Sequence, residues 1–147
     1  KQIQAIRKLG ARIKLITDGD VNPAVATAFP ESGVDILMGI GGAPEGVLAA
    51  AALRCMGGDM QGRLVPQNDH DIARAKKLGI EDINKILTLD DLVKTDDVIF
   101  AATGITDSEM LKGVRFYTDR ATTHTVEKQE PYALLRRSIS LRKNPSM

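Results

Sequence analysis

Asp18 and Asp20 stand two positions apart around Gly19, and Glu45 closely follows a cluster of glycines at 39, 41 and 42. Two carboxylates flanking a glycine can converge on one small ligand or one divalent ion, because the glycine lets the chain turn sharply between them. Asp-Gly is also a turn signal, and Asp20 is equally placed to cap a helix containing Pro23. In the stretch GIGGAPEG, Gly39 to Gly46, glycines admit a ligand close to the backbone. The helix start that follows offers free N–H groups and the positive end of a dipole, a combination suited to phosphate. Glu45 projects from the first helical turn, where it either complements that dipole, worth roughly 0.3–1 kcal/mol, or serves a ligand. Neither a dinucleotide fingerprint nor a P-loop is present, since G-x-G-x-x-G is absent and no Gly-Lys-Ser/Thr follows.

The elements that must position these groups follow from periodicity. Ile3, Ile6 and Leu9 recur at helical spacing, with Gly10 as a C-terminal cap. A strand is expected at Arg12 to Thr17, running into Asp18, and a short helix at Ala24 to Phe29, ended by Pro30. Val34 to Met38 reads as a strand buried on both faces. Pro44 then opens a helix that carries Val47, Leu48, Ala51, Ala52 and Cys55 inward and stops at Gly57 and Gly58. Further strands are expected at Gln61 to Pro66, Lys85 to Thr88 and Asp97 to Thr103. A helix at Asp69 to Leu78 has Ile72, Ala75 and Leu78 on its apolar face. Thr106 and Glu109 have capping-box spacing for a short helix closed by Gly113. Val114 to Tyr117, Thr122 to Gln129 and Ala133 to Leu141 supply the last strands, the final two as a hairpin. Together these predict a single α/β domain over 1–147, a layered unit with a mixed β-sheet flanked by helices. In open α/β sheets, ligands sit beyond the carboxyl ends of strands, so the turns at 18–20 and 39–46 are expected to share one site.

Composition limits the alternatives. The 147 residues are 43% hydrophobic and 27% charged, which predicts a folded, soluble domain. Lys and Arg number 20 against 19 Asp and Glu, so no global field recruits nucleic acid or an anionic membrane. The basic tail residues Arg136, Arg137, Arg142 and Lys143 lack the aromatics of a nucleic-acid platform and read as a solvated face. The apolar run Val47 to Leu53 is too short to span a bilayer. Cys55 is the one cysteine; it cannot form an internal disulfide, reads as a core filler, and fits a reducing cytoplasm. His70 and His124 lack partners at ligand spacing and read as surface or structural residues. The chain opens on Lys1, as a processed, truncated or excerpted chain would.

Four stretches carry a resemblance. LITDGDV at Leu15 to Val21, DILMGIGGAPEGVLAAAAL at Asp35 to Leu53, GGDMQGRL at Gly57 to Leu64 and FAATGITDSEMLKGVRF at Phe100 to Phe116 closely resemble the bacterial class II fructose-1,6-bisphosphatases. The resemblance implies the C-terminal half of the sugar-phosphatase fold shared with inositol monophosphatases. It implies hydrolysis of the 1-phosphate of fructose 1,6-bisphosphate with Mg²⁺ or Mn²⁺, in gluconeogenesis and glycerol-linked carbohydrate metabolism; some members also hydrolyse sedoheptulose 1,7-bisphosphate. By motif, Glu45 corresponds to a metal ligand, and Asp18, Gly19, Asp20 and Gly42 to substrate-binding residues. That division is physically sensible, since a phosphate monoester repels incoming hydroxide and needs cations, whereas carboxylates facing sugar hydroxyls accept hydrogen bonds and orient the ester.

Family chains are much longer, and their remaining metal ligands and a basic substrate-binding stretch lie in an N-terminal half with no counterpart here. These 147 residues alone are therefore expected to bind metal poorly and to be weak or inactive as a catalyst. The partners implied are a sugar bisphosphate, that N-terminal half and further copies of the protein in a homo-oligomer, with neither nucleic acid nor membrane. A non-catalytic phosphosugar-binding or regulatory module stands as the alternative, and a bare structural fragment as a third.

Overall fold

The computed structural model describes residues 1–17, 19–108, 110–129 and 135–142, with 135–138 and 141–142 described as backbone only. Asp18, Glu109 and residues 133–134 of the expected hairpin lie outside the described residues, as do the side chains of Arg136, Arg137, Arg142 and Lys143.

The first helix, α1 (Gln2–Lys8), ends where Gly10 adopts φ +77. It buries none of its residues, so its isoleucines form no inward stripe. The second, α2 (Val21–Ala26), is short and buries Ala24, Val25 and Ala26; a 3₁₀ turn (Pro30–Ser32) follows Phe29. The third, α3 (Ala43–Met56), is the longest described helix and the spine of the unit. It starts at Ala43 and takes Pro44 in its first turn, where a missing N–H costs no helical bond. At its other end Gly57, at φ +74, and Gly58 return their N–H groups to the carbonyls of Arg54 and Leu53, a Schellman closure.

The inward face of α3 is made of Ala49, Ala50, Ala52, Leu53 and Cys55, while Val47 and Leu48 are exposed. The expected face is therefore rotated. An alanine-rich helix has too little contrast around its circumference for sequence to fix which stripe turns inward, and here the small residues face α2, which they allow to approach closely.

The strands are β1 (Gln61–Gly62), β2 (Leu87–Thr88), β3 (Ile99–Thr103), β4 (Arg115–Phe116), β5 (Arg120–Gln129) and β6 (Leu135–Arg142), with α4 (Asp69–Lys77) and α5 (Leu89–Leu92) between the early ones. They form a two-stranded sheet, β1 with β2, and a four-stranded one in which β5 pairs with β3 and β4 on one edge and β6 on the other. Every described pairing is antiparallel, so the expected mixed sheet is replaced by antiparallel ones. The hairpin of the last two strands forms, with Thr123 opposite Ile139.

Two expected strands are absent. Residues 11–17 and 33–42 carry no strand pairing, and Leu15, Ile36 (72% exposed), Met38 and Ile40 (83% exposed) face outward. Val34 to Met38 is thus neither paired nor buried on both faces. Apolar composition alone does not make a strand; a neighbouring strand must take its N–H and C=O groups, and among the described residues none does. Nor is the helix expected after Thr106 present among the described residues 106–108 and 110–113. The Asp107 carboxylate accepts the Gly113 N–H at 2.8 Å, and Ser108 Oγ accepts the Leu111 N–H at 3.0 Å, closing a loop in place of helical bonds. In α4 only Ala75 is buried, and Leu78 is exposed.

The core joins the helices to the large sheet through Val25, Phe29, Ala52, Cys55, Phe100, Leu111 and Val126. Cys55 fills it as expected, its Sγ donating to the Val98 carbonyl at 3.4 Å. Among the described residues no helix is long and apolar enough to cross a membrane.

Candidate functional site

The site is built where α2 and α3 begin. Gly19 turns the chain at φ +81, and the backbone carbonyl of Asp20 accepts from the Ala24 N–H at 3.1 Å, opening α2. The Asp20 side chain makes no capping hydrogen bond to that helix. It reaches across to the second turn instead. A Cβ built on Gly41 would overlap Asp20 Oδ2 and lie 3.1 Å from its Cγ.

Gly42 is the N-cap of α3, extended at φ −68 and ψ 146, and its carbonyl takes the Gly46 N–H at 3.0 Å. Glu45 is the third helical residue and is exposed. Its carboxylate folds back over the helix start, such that a Cβ on Gly42 would overlap Glu45 Oε2. The two carboxylates therefore rest on consecutive glycines, Asp20 on Gly41 and Glu45 on Gly42. Among the described residues no hydrogen bond or ion pair holds either one.

Of the five residues singled out by sequence, Gly19, Asp20, Gly42 and Glu45 are thus described around two adjoining turns, and Asp18 lies outside the described residues. Oxygen donors of this kind suit hard divalent cations, which take six or more ligands. Among the described residues, however, no three of His, Cys, Asp and Glu converge as a cation site would need. The residues present do not by themselves complete one. His70 is exposed on α4, and His124 Nδ1 accepts the Lys112 N–H at 3.3 Å.

Helix α3 is held from its far end. Arg54, with a side chain 16% exposed, donates through Nη1 to Asp96 at 2.7 Å and through Nη2 to Asp90 and to the Val93 carbonyl at 2.9 Å. This ties α3 to α5 and the segment leading to β3, about 13 Å along the helix axis from Glu45 at the usual rise per residue. A 290 Å³ hollow there is lined by Arg54, Asp90, Val93, Lys94, Thr95 and Asp96, so the hollow and the paired carboxylates occupy opposite ends of α3. Arg54 escaped the sequence reading, although it and Glu45 are the only charged residues of α3. Gly41 escaped too; its signal was the doubled glycine.

Two carboxylates away from these turns are held below the usual carboxylate value. The Lys85 ammonium, 2.6 Å from Asp91, and the Thr88 N–H lower Asp91 to about 2. The Gly113 N–H, with the Arg115 guanidinium, lowers Asp107.

The family model for bacterial fructose-1,6-bisphosphatase, glpX-encoded, matches residues 1–140. A Synechococcus sp. (strain JA-3-3Ab) protein named D-fructose 1,6-bisphosphatase class 2/sedoheptulose 1,7-bisphosphatase is 45% identical over 136 residues, covering 84% of this chain and 39% of that protein. A Haemophilus influenzae protein named fructose-1,6-bisphosphatase class 2 is 44% identical over 137 residues, covering 84% of this chain and 41% of its own length. The chain thus spans about two fifths of the curated relatives it matches. With nearly its whole length under one family model, and both turns within that match, the chain belongs to the glpX-encoded bacterial fructose-1,6-bisphosphatase family.

Proposed function

We propose that this chain supplies part of the active site of a phosphatase that cleaves the 1-phosphate of fructose 1,6-bisphosphate. Water adds to phosphorus, the phosphorus–oxygen ester bond breaks, and the sugar oxygen leaves with a proton as fructose 6-phosphate, releasing inorganic phosphate. The observation carrying this reading is the seating of Asp20 and Glu45 on consecutive glycines at the mouth of α3, in a chain of this family. Asp20, with Asp18 and Gly19, accepts hydrogen bonds from sugar hydroxyls and orients the ester for in-line attack. Gly42 lets the ligand approach the backbone. Glu45 offers one carboxylate toward a divalent cation, Mg²⁺ or Mn²⁺, whose other ligands come from outside the described residues. A cation of this kind neutralises phosphoryl charge when bound.

The same reading takes the fold as the C-terminal half of a sugar phosphatase, working with an N-terminal half in a cytoplasmic homo-oligomer. Support comes from the outward-facing Ile36, Met38, Ile40, Val47 and Leu48, which other polypeptide would cover. The relative from Synechococcus carries a second named activity, on a seven-carbon bisphosphate, which extends the substrate class to both sugars.

Replacing Glu45 with Ala in the complete protein is expected to lower turnover at least 100-fold, within the range for losing a group that acts on the transition state, with an unchanged melting temperature. Wild-type turnover in that variant defeats the assignment. A non-catalytic sugar-phosphate module is the second reading, favoured by the lack of a three-ligand cluster among the described residues. Calorimetry with fructose 1,6-bisphosphate, with and without Mn²⁺, separates the two: metal-independent binding without phosphate release supports the module.

A further inference from the structure

The three glycines at 39, 41 and 42 are not equivalent. A Cβ on Gly39 would meet nothing within 4 Å. On Gly42 it would meet the carboxylate of Glu45, and on Gly41 that of Asp20. Neither Gly41 nor Gly42 has the positive φ that makes glycine a backbone requirement. The space that Gly41 leaves open is therefore what distinguishes it from alanine, and one group fills that space. We infer that Gly41 is a positioning residue for the sugar side of the site: the place of its missing Cβ is the seat of the Asp20 carboxylate, and any side chain at 41 evicts it. The inference rests on the assignment of Asp20 to the sugar made above.

The physical consequence is local. Asp20 has no capping hydrogen bond to hold it, so its orientation depends on packing against the Gly41 backbone. An added methyl would meet only the end of that side chain, which can swing away at little cost to the fold. What changes is the direction in which the carboxylate points. The neighbouring seat at Gly42 belongs to Glu45, so the two acidic groups are kept apart by residue, one for the sugar and one for the cation. A hydrogen bond to a sugar hydroxyl is present in both the ground state and the transition state, so most of its loss falls on KM, and the looser orientation of the ester takes the smaller remainder from kcat.

The test uses the complete protein as Gly41→Ala, Asp20→Ala and the double variant, assayed for phosphate release across a full range of fructose 1,6-bisphosphate concentrations and for melting temperature. Gly41→Ala is expected to raise KM about tenfold, as one lost hydrogen bond to a charged group would. Its kcat stays within about threefold of wild type and its melting temperature is unmoved. Added to Asp20→Ala it changes nothing further, because the carboxylate that the methyl would evict is already gone. A wild-type KM for Asp20→Ala would remove the sugar assignment, and the seat with it. A defect in Asp20→Ala beside a wild-type KM for Gly41→Ala, or two effects that multiply in the double variant, would overturn the positioning role alone.

Discussion

Strands β3, β5 and β6 close a ladder, whereas the segments 11–17 and 33–42, no less rich in aliphatic residues than β5 and β6, pair with no strand among the described residues. In the sheet, β5 takes partners on both edges, and Val126 on it is fully buried beneath α3. The two segments lead into the site turns without pairing to a strand among the described residues, and Leu15, Ile36, Met38 and Ile40 on them face outward. Order is concentrated where it holds α3 from behind, and the loops at its mouth are left open. The same contrast runs through the acidic groups. Asp91 and Asp107 are tied by N–H donors and cations, whereas among the described residues no such bond holds Asp20 or Glu45. A carboxylate already bonded within the fold is a structural part; one resting on a glycine is available to a ligand.

The largest effect that sharpens this contrast is in the core. Phe100 on β3 is buried in the cluster that joins sheet and helices, and Phe100→Ala is expected to cost about 3–5 kcal/mol in urea unfolding. Ile36→Ala, at an exposed residue of comparable hydrophobicity outside the sheets, is expected to stay within about 0.5 kcal/mol when these 147 residues are unfolded without the polypeptide proposed to cover it. Equal losses at the two positions would show that 33–42 is packed in solution as tightly as the sheet.

Glycines give a second, smaller contrast. A Cβ on Gly104 would run into the backbone carbonyl of Lys112 and sit 3.1 Å from Leu111 Cβ. Backbone cannot swing aside as a side-chain end can, so Gly104→Ala is expected to destabilise by about 1–3 kcal/mol. Gly42→Ala, which displaces only the end of Glu45, is expected to stay within about 1 kcal/mol on the same measurement. A loss at Gly42 as large as that at Gly104 would mean that the Glu45 carboxylate is fixed by the fold.

How much of this was legible in the sequence depended on the range of the interactions concerned. Helix ends at Gly10 and Gly57 were readable because a positive φ is a local demand that glycine meets best. The final hairpin was readable because its two strands are adjacent in the chain. The expected strands at 12–17 and 34–38 were not decided by local pattern, since pairing needs a neighbour that periodicity cannot see. The inward stripe of α3 was misjudged at Val47 and Leu48 because neighbouring alanines made its sides alike. For the site, residue types and glycine spacing raised the turns at 18–20 and 39–46, and the family resemblance singled out Asp20, Gly42 and Glu45 within them. The role of Gly41 was not legible, because it depends on a carboxylate arriving from 21 positions earlier in the chain. The capping box at Thr88 and Asp91 was overlooked in favour of Thr106 and Glu109, although both pairs have the same spacing.

That overlooked box carries the smallest and most readily titrated effect. Asp91 is lowered from 3.8 to about 2, first by its bond to Lys85 Nζ and then by the N–H of Thr88. A carboxylate depressed in the folded state adds stability that is fully present above its unfolded value. That contribution fades as pH falls from about 4 toward 2, where the folded group also takes up its proton. Asp91→Asn keeps an acceptor for the Thr88 N–H but gives up the charge facing Lys85. The gap in melting temperature between wild type and Asp91→Asn is therefore expected to be small and positive near pH 6, and to narrow steadily below pH 4. It should also shrink with added salt, since Lys85 is half exposed and its field is screened. A gap that is the same at pH 2.5 and pH 6 would assign the stabilisation to the shape of the cap, and Asp91 would then resemble Asp20 and Glu45 in contributing no bonded charge to the fold.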